Sequence, residues 1–188
     1  MKLLEERILK DGIVSGNVLK IDSFLKHQID VDLISKCAEE WYQIFKNEGV
    51  TKILTIESSG IGIACMTAQQ FGVPVLFAKK TTGITTDNNC HSVRVVSFTH
   101  GNTYNVFASK QFLTADDKVL IIDDIVANGT AIKALADICA LAGAKVIGCG
   151  VAVEKAFQMG GARIRERGIK LESLAKIKSM TDGKIEFC

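Results

Sequence analysis

Val119-Leu120-Ile121-Ile122-Asp123-Asp124-Ile125-Val126-Ala127-Asn128-Gly129-Thr130-Ala131 is the stretch whose reading decides the fold. Four apolar side chains come first without a break, the pattern of a strand buried on both faces in a parallel sheet. Asp123 and Asp124 end the run as an acidic tip. Ala127, Asn128, Gly129 and Thr130 are all small or turn-tolerant. Ala131, Ile132, Ala134, Leu135, Ile138 and Cys139 then recur at helical spacing, and Gly143 stands where a helix-ending glycine belongs. Strand, acidic tip, turn and helix therefore follow in order. Ligands of open α/β sheets sit at the carboxyl ends of the strands. A helix that starts after small residues leaves several N–H groups for an anion, and the helix dipole adds to their pull.

A carboxylate repels a phosphate, so Asp123 and Asp124 are expected not to face one. They suit the hydroxyls of a sugar, which donate hydrogen bonds, or a hard cation such as Mg²⁺. Phosphoribosyl diphosphate carries a terminal phosphate, a diol and a magnesium-bound diphosphate together. The ordered pattern resembles the phosphoribosyl diphosphate loop of the type I phosphoribosyltransferases. The common form has Thr-Gly-Gly-Thr in the turn. Ala127-Asn128 departs from it at the first two positions, which keeps the backbone donors and loses one side-chain hydroxyl.

Composition narrows the class. A chain of 188 residues, 47% hydrophobic, suits one domain with a full core. Twenty-three basic against 21 acidic side chains leave a net charge of +2, and no block of like charge marks a nucleic-acid or membrane tail. The cysteines at 37, 65, 90, 139, 149 and 188 form no Cys-x-x-Cys pair. They read as reduced core thiols of a cytoplasmic protein, without a disulfide framework or zinc site. Residues 1–10 lack a signal core, and residues 58–78, although uncharged, are broken by Ser, Thr, Gln, Gly and Pro. His27, His91 and His100 share no metal-binding spacing.

Elements alternate along the rest of the chain. Leu3, Leu4, Arg7 and Ile8 predict a short helix ending near Gly12. Residues 13–28 form an arm of mixed polarity, suited to a hood or a strand pair. Asp30 or Asp32 can cap a helix whose stripe is Ile34, Cys37, Ala38, Trp41, Ile44 and Phe45, ending by Gly49. Lys52–Ile56 predicts the first main strand. The polar glycine loop 57–62 follows, then a helix from Ile63 to Phe71 stopped by Gly72. Pro74–Ala78 is the next strand, with Lys79-Lys80 at its end, placed to neutralise diphosphate. Residues 81–92 look mobile. Val93–Phe98 and Tyr104–Ala108 alternate like a hairpin around His100-Gly101-Asn102. Such a hairpin could close over a reacting sugar and keep water out. Lys145–Val153 predicts another buried strand, in which Gly148 and Gly150 permit close packing. Lys155 at its end could donate to an oxygen on a base while Phe157 stacks. Gly160–Gly168 is a basic helical turn, and Leu171–Ile177 and Lys184–Phe187 are terminal strands.

The loop at Glu57-Ser58-Ser59-Gly60 resembles the diphosphate loop of purine phosphoribosyltransferases. Across nearly the whole chain, Val18–Leu25, His27–Asp30, Ile56–Ile61, the central loop and Glu154-Lys155-x-Phe157-Gln158 are similar to the bacterial xanthine-specific branch. The resemblance implies an α/β fold: a doubly wound, mostly parallel sheet with a flexible hairpin lid. It implies one domain over 1–188, whose hood is formed by about 1–30 and the C-terminal segment. It implies purine salvage: transfer of ribose 5-phosphate from phosphoribosyl diphosphate to xanthine, with Mg²⁺ bound to the diphosphate. Asp123 and Asp124 would be catalytic and no protein metal site is needed. Ala127, Asn128, Gly129, Thr130, Ala131, Ser58, Ser59, Gly60 and Lys79 would bind phosphoribosyl diphosphate. Leu19, Lys26, Lys155 and Phe157 would contact the base. A homodimer without nucleic-acid or membrane partners is implied as well. An adenine enzyme (from Glu57-Ser58, against Lys155), a hypoxanthine–guanine enzyme, and a non-catalytic sensor of phosphoribosyl diphosphate are the other readings.

Overall fold

A computed structural model describes residues 1–82, 88–96, 103–181 and 183–188. The predicted hairpin turn at residues 100–102 lies outside them. Helix α1 (Lys2–Asp11) leads into the short strands β1 (Ile13–Ser15) and β2 (Val18–Lys20), which pair with each other. A π-helical turn (Asp22–Lys26) completes the arm. Helix α2 (Val31–Phe45) follows, capped by Asp30, whose carboxylate accepts from the Leu33 N–H at 3.1 Å. Then come β3 (Lys52–Ile56), α3 (Gly60–Phe71), β4 (Val75–Thr81), β5 (Cys90–Val96) and β6 (Thr103–Ser109). The chain closes with β7 (Lys118–Val126), α4 (Thr130–Ala142), β8 (Lys145–Lys155), α5 (Gly160–Glu166), β9 (Leu171–Thr181) and β10 (Lys184–Phe187).

Eight strands make one sheet in the order β10-β9-β8-β7-β3-β4-β6-β5. The five from β9 to β4 run parallel, which is the predicted α/β class. The hairpin β5–β6 is antiparallel and joins the sheet through β4, so it is anchored on the main body. Residues 90–92, expected to be mobile, are ladder residues of β5. The C-terminal strands also lie in the main sheet, and the Met1 amino group donates to the Leu174 carbonyl of β9.

Apolar periodicity builds two cores. One gathers Leu4 and Ile8 of α1, Leu19, Phe24, and Ile34, Trp41 and Phe45 of α2 against Leu120 and Ile122. The other packs Val106 of the hairpin and Ile132, Leu135 and Ile138 of α4 against Val119 and Ile121. Ile44, expected in the α2 stripe, is exposed at the stripe's edge. Three of the six cysteines are core thiols (37, 139 and 149), and burial pushes Cys37 and Cys139 up to about 12. Cys65 and Cys188 are exposed, so the expectation of core thiols fails for them. Cys65 sits on the outer side of α3, where the helical stripe leaves any residue in solvent.

Strand β7 corrects the reading of the deciding stretch. It does not end at Ile122 but continues through both aspartates to Val126, pairing Asp123 with Val151 and Val126 with Glu154 of β8. Pairing with β8 carried the strand past the point where its apolar pattern stopped, since the ladder to β3 ends at Ile121. Gly148 and Gly150 do admit close packing. A Cβ on Gly148 would lie 2.5 Å from the Phe45 ring, and one on Gly150 2.8 Å from both Ile122 Cδ1 and Trp41 Nε1. Gly150→Ala should therefore destabilise the chain by about 1–3 kcal/mol through overpacking, measured by urea unfolding.

Candidate functional site

Chain order places the site. From β3 the chain moves outward to β4, then returns to the other side of β3 at β7 and continues to β8 and β9. The strand order therefore reverses between β3 and β7, and a crevice opens beyond their carboxyl ends. The two loops singled out in the sequence, 57–60 and 127–130, leave those ends side by side. A Cβ on Gly60 would sit 3.3 Å from Asp123 Oδ1 and only 2.1 Å from Thr55 Oγ1. Only glycine fits there, and α3 begins at Gly60 itself, three residues earlier than predicted.

The loop after β7 starts α4 without a side-chain cap. Gly129 takes a left-handed conformation (φ 77°) and caps α4 without a side-chain hydrogen bond. The Lys133 N–H is bonded to the Gly129 carbonyl at 2.9 Å. The N–H groups of Thr130, Ala131 and Ile132 precede it, in the first turn where a helix supplies no acceptor. A cavity of about 220 Å³ lies against them, lined by Ala127, Asn128, Gly129, Thr130, Ala131 and, across it, Tyr104.

Asp123 is among the residues lining that same cavity. Burial, then the charge of Asp124, holds the Asp123 carboxyl well above the usual carboxylate range. The Asp124 N–H donates to Asp123 Oδ1 at 3.0 Å. Asp124 turns to the arm instead: Lys26 Nζ lies 3.2 Å from its Oδ2, without hydrogen-bond geometry.

The base-side residues lie around the arm. Lys155, at the last position of β8, is buried and donates to the Asn17 carbonyl at 2.7 Å. Burial, and secondarily the charge of Lys26, lowers its pKa. Phe157 follows in the turn after β8, 40% exposed. The Leu19 side chain is buried in the arm's core. Ser58 and Ser59 stand in the loop after β3, where the Glu57–Ser58 peptide is cis. The structure does not bring Lys79 to this group. Strand alternation turns it to the other side, 5.9 Å from the Phe77 ring, in a separate apolar cavity. Lys80 is the member of the pair whose charge reaches Asp123, and its N–H donates to Glu57 Oε1 at 2.7 Å.

Sequence reading missed what braces the loop. The Gly160 N–H donates to the Ala127 carbonyl at 3.0 Å. A Cβ on Gly160 would fall 2.2 Å from that oxygen and 2.5 Å from the Gly129 nitrogen. Gly161 leaves room for Glu154, which is buried and held by Arg165 at 2.7 and 2.8 Å and by the Ser173 hydroxyl. Burial raises the Glu154 pKa, but these donors outweigh it and hold the carboxyl below its usual range. The signal was the paired glycines at the head of a helix, a spacing that marks close backbone approach.

Among the described residues no group of three or more His, Cys, Asp or Glu is placed to hold a metal ion, and no helix is long and apolar enough to cross a membrane. The phosphoribosyl transferase domain profile matches residues 20–168. The xanthine phosphoribosyltransferase of Lachnoclostridium phytofermentans is 54% identical over 190 residues, covering 100% of this chain and 98% of its own. That of Ruminiclostridium cellulolyticum is 52% identical over 188 residues, covering 100% and 99%. Among solved structures, the APRTase of Giardia lamblia complexed with 9-deazaadenine superposes with a TM-score of 0.79 at 18% identity, over 94% of this chain and 98% of that one. The adenine phosphoribosyl transferase of Trypanosoma brucei, in complex with AMP, pyrophosphate and ribose-5-phosphate, gives 0.74 at 15% identity, over 92% and 79%. These two share the fold.

Two outcomes follow from the brace and the buried acid. Gly160→Ala should push the loop out of place and weaken binding of ribose 5-phosphate at least about tenfold, with far-ultraviolet circular dichroism unchanged. For Asp123 the sign is fixed by its raised pKa. Its stability contribution is fully present below the unfolded value of about 3.9 and is lost as pH rises through the folded value. Asp123→Asn should therefore raise Tm more at pH 8 than at pH 4.

Proposed function

The chain belongs to the phosphoribosyl transferase domain family, and from that premise we propose that it makes xanthosine 5′-monophosphate and diphosphate from xanthine and phosphoribosyl diphosphate. The carrying observation is the pairing, at one crevice, of an uncapped helix start with a buried lysine at the end of the next strand. Identity of about half the residues over the full length of xanthine phosphoribosyltransferases supports the choice of base.

The protein needs no nucleophile for this transfer. It must hold two reactants in line and favour a positively charged sugar. The amides of Ala127–Ala131 grip the 5-phosphate. Asp123 and Asp124 take the ribose hydroxyls, and the negative charge of the pair favours oxocarbenium character. Ser58, Ser59 and Gly60 bound the diphosphate, with Lys80 nearer to it than Lys79. Mg²⁺ bound with the diphosphate would supply charge neutralisation of the leaving group. The hard carboxylate oxygens of the aspartate pair suit that ion, and Asp124 Oδ2 is buried without a donor. Lys155 donates to an oxo group of the base, and Phe157 offers a ring beside it. An adenine amino group would give Lys155 no acceptor, which disfavours the adenine reading.

Residues 1–30 are the hood of a single domain in this reading. The reduced cysteines support a cytoplasmic location. A homodimer is part of the proposal, supported by the exposed Phe77 and Phe112 beside an apolar cavity of about 620 Å³.

Incubation with phosphoribosyl diphosphate, Mg²⁺ and xanthine, guanine, hypoxanthine or adenine should give nucleotide fastest from xanthine. Lys155→Met should raise KM for xanthine at least about tenfold, the ~1.4 kcal/mol of one charge-assisted hydrogen bond, and leave KM for phosphoribosyl diphosphate within about twofold. Equal loss for both substrates would reject Lys155 as the base reader.

A further inference from the structure

The arm is tied across the site at two points. Lys26 Nζ lies 3.2 Å from Asp124 Oδ2, and the Asn17 carbonyl accepts from Lys155 at 2.7 Å. The first tie is unusual in kind. Asp124 is 6% exposed, yet its Oδ2 has no hydrogen-bond donor, because Lys26 approaches with charge but without donor geometry. A buried carboxylate oxygen held this way is satisfied electrostatically and still able to accept a hydrogen bond. Asp124 is also proposed to receive the ribose hydroxyls, and this is its oxygen left able to accept them.

Lys26 ends the π-helical turn, and a third of its side chain is in solvent. Its charge is felt at Lys155, so the two ammonium groups lie in one region, within electrostatic reach of each other. An oxygen-bearing base in that region has two donors within reach. A lysine is a point charge on a flexible stem, and it cannot serve Asp124 and a base fully at once.

From this geometry we infer that Lys26 couples the two substrate sites, because it and the ribose diol contend for the same Asp124 oxygen. When the diol takes that oxygen, Lys26 is turned over to the base. The inference rests on the proposed roles of Asp124 and the arm. It makes Lys26 a competitor of the sugar for Asp124 as well as a base contact, and it makes base affinity depend on the sugar. Linkage then requires the sugar to bind tighter when the base is present, by the same factor.

Calorimetry with xanthine and ribose 5-phosphate tests it, since this pair lacks the diphosphate leaving group and does not react. In the unaltered chain each should tighten the other about tenfold, within the usual range of coupling between sites. In Lys26→Met that factor should fall to within about twofold of one, while ribose 5-phosphate binds at least as tightly as before. Asp124→Asn should bind xanthine alone about threefold tighter than the unaltered chain, since Lys26 is released without any sugar. A merely structural role for the pair would weaken both ligands in both variants. Wild-type coupling retained in Lys26→Met, or unchanged xanthine affinity in Asp124→Asn, would overturn the inference while turnover in the base assay still stood. Absence of nucleotide formation from every base would overturn the proposed function and this inference with it.

Discussion

Two carboxylates sit almost wholly out of water at the end of one strand, 4% and 6% exposed, and their surroundings are arranged around keeping them there. Like charges that close cannot both ionise freely in a low dielectric. The protein divides the burden. Asp123 is drawn towards the neutral form by its burial, and Asp124 is matched by a lysine from the arm. Asp123 shares its cavity with the loop proposed to hold a phosphate. The division also ties the arm to the middle of the sheet.

The cradle depends on a second constraint, the close approach of two backbones. Gly160 lies against Ala127 and Gly129 at distances no side chain would tolerate. Helix α5 can approach so far because Gly161 clears space for Glu154, and Arg165 from the same helix clamps that carboxylate. The clamp stands one residue before Lys155 in β8. The group proposed to read the base and the loop proposed to hold the phosphate are therefore braced by one short helix.

Much of this was legible in the sequence. Unbroken apolar runs gave parallel strands, and helical spacing with glycine stops gave α3 and α4. The deciding loop was legible as well, because each of its residues is constrained by local chemistry. What was hidden depends on partners distant in sequence. The extension of β7 past Ile122 depends on pairing with β8. The choice of Lys80 over Lys79 depends on which way β4 pleats once it is hydrogen-bonded on both sides. Gly160 looked like part of a basic helix until the loop it touches was in place. Neither Thr55 nor Arg165 carries a local signal, since each acts only through its neighbour.

The sheet separates two cores that share little except the strands between them. The arm, α1 and α2 belong to one; the hairpin and α4 belong to the other. The phosphate cradle starts α4, while Lys26 and Asn17 ride on the arm. Such a molecule is a fixed handle with an exchangeable reading head. On the proposed roles, drift on the arm's side would retune which heterocycle is accepted, generation after generation, while the amides at the start of α4, packed in the other core, keep their place.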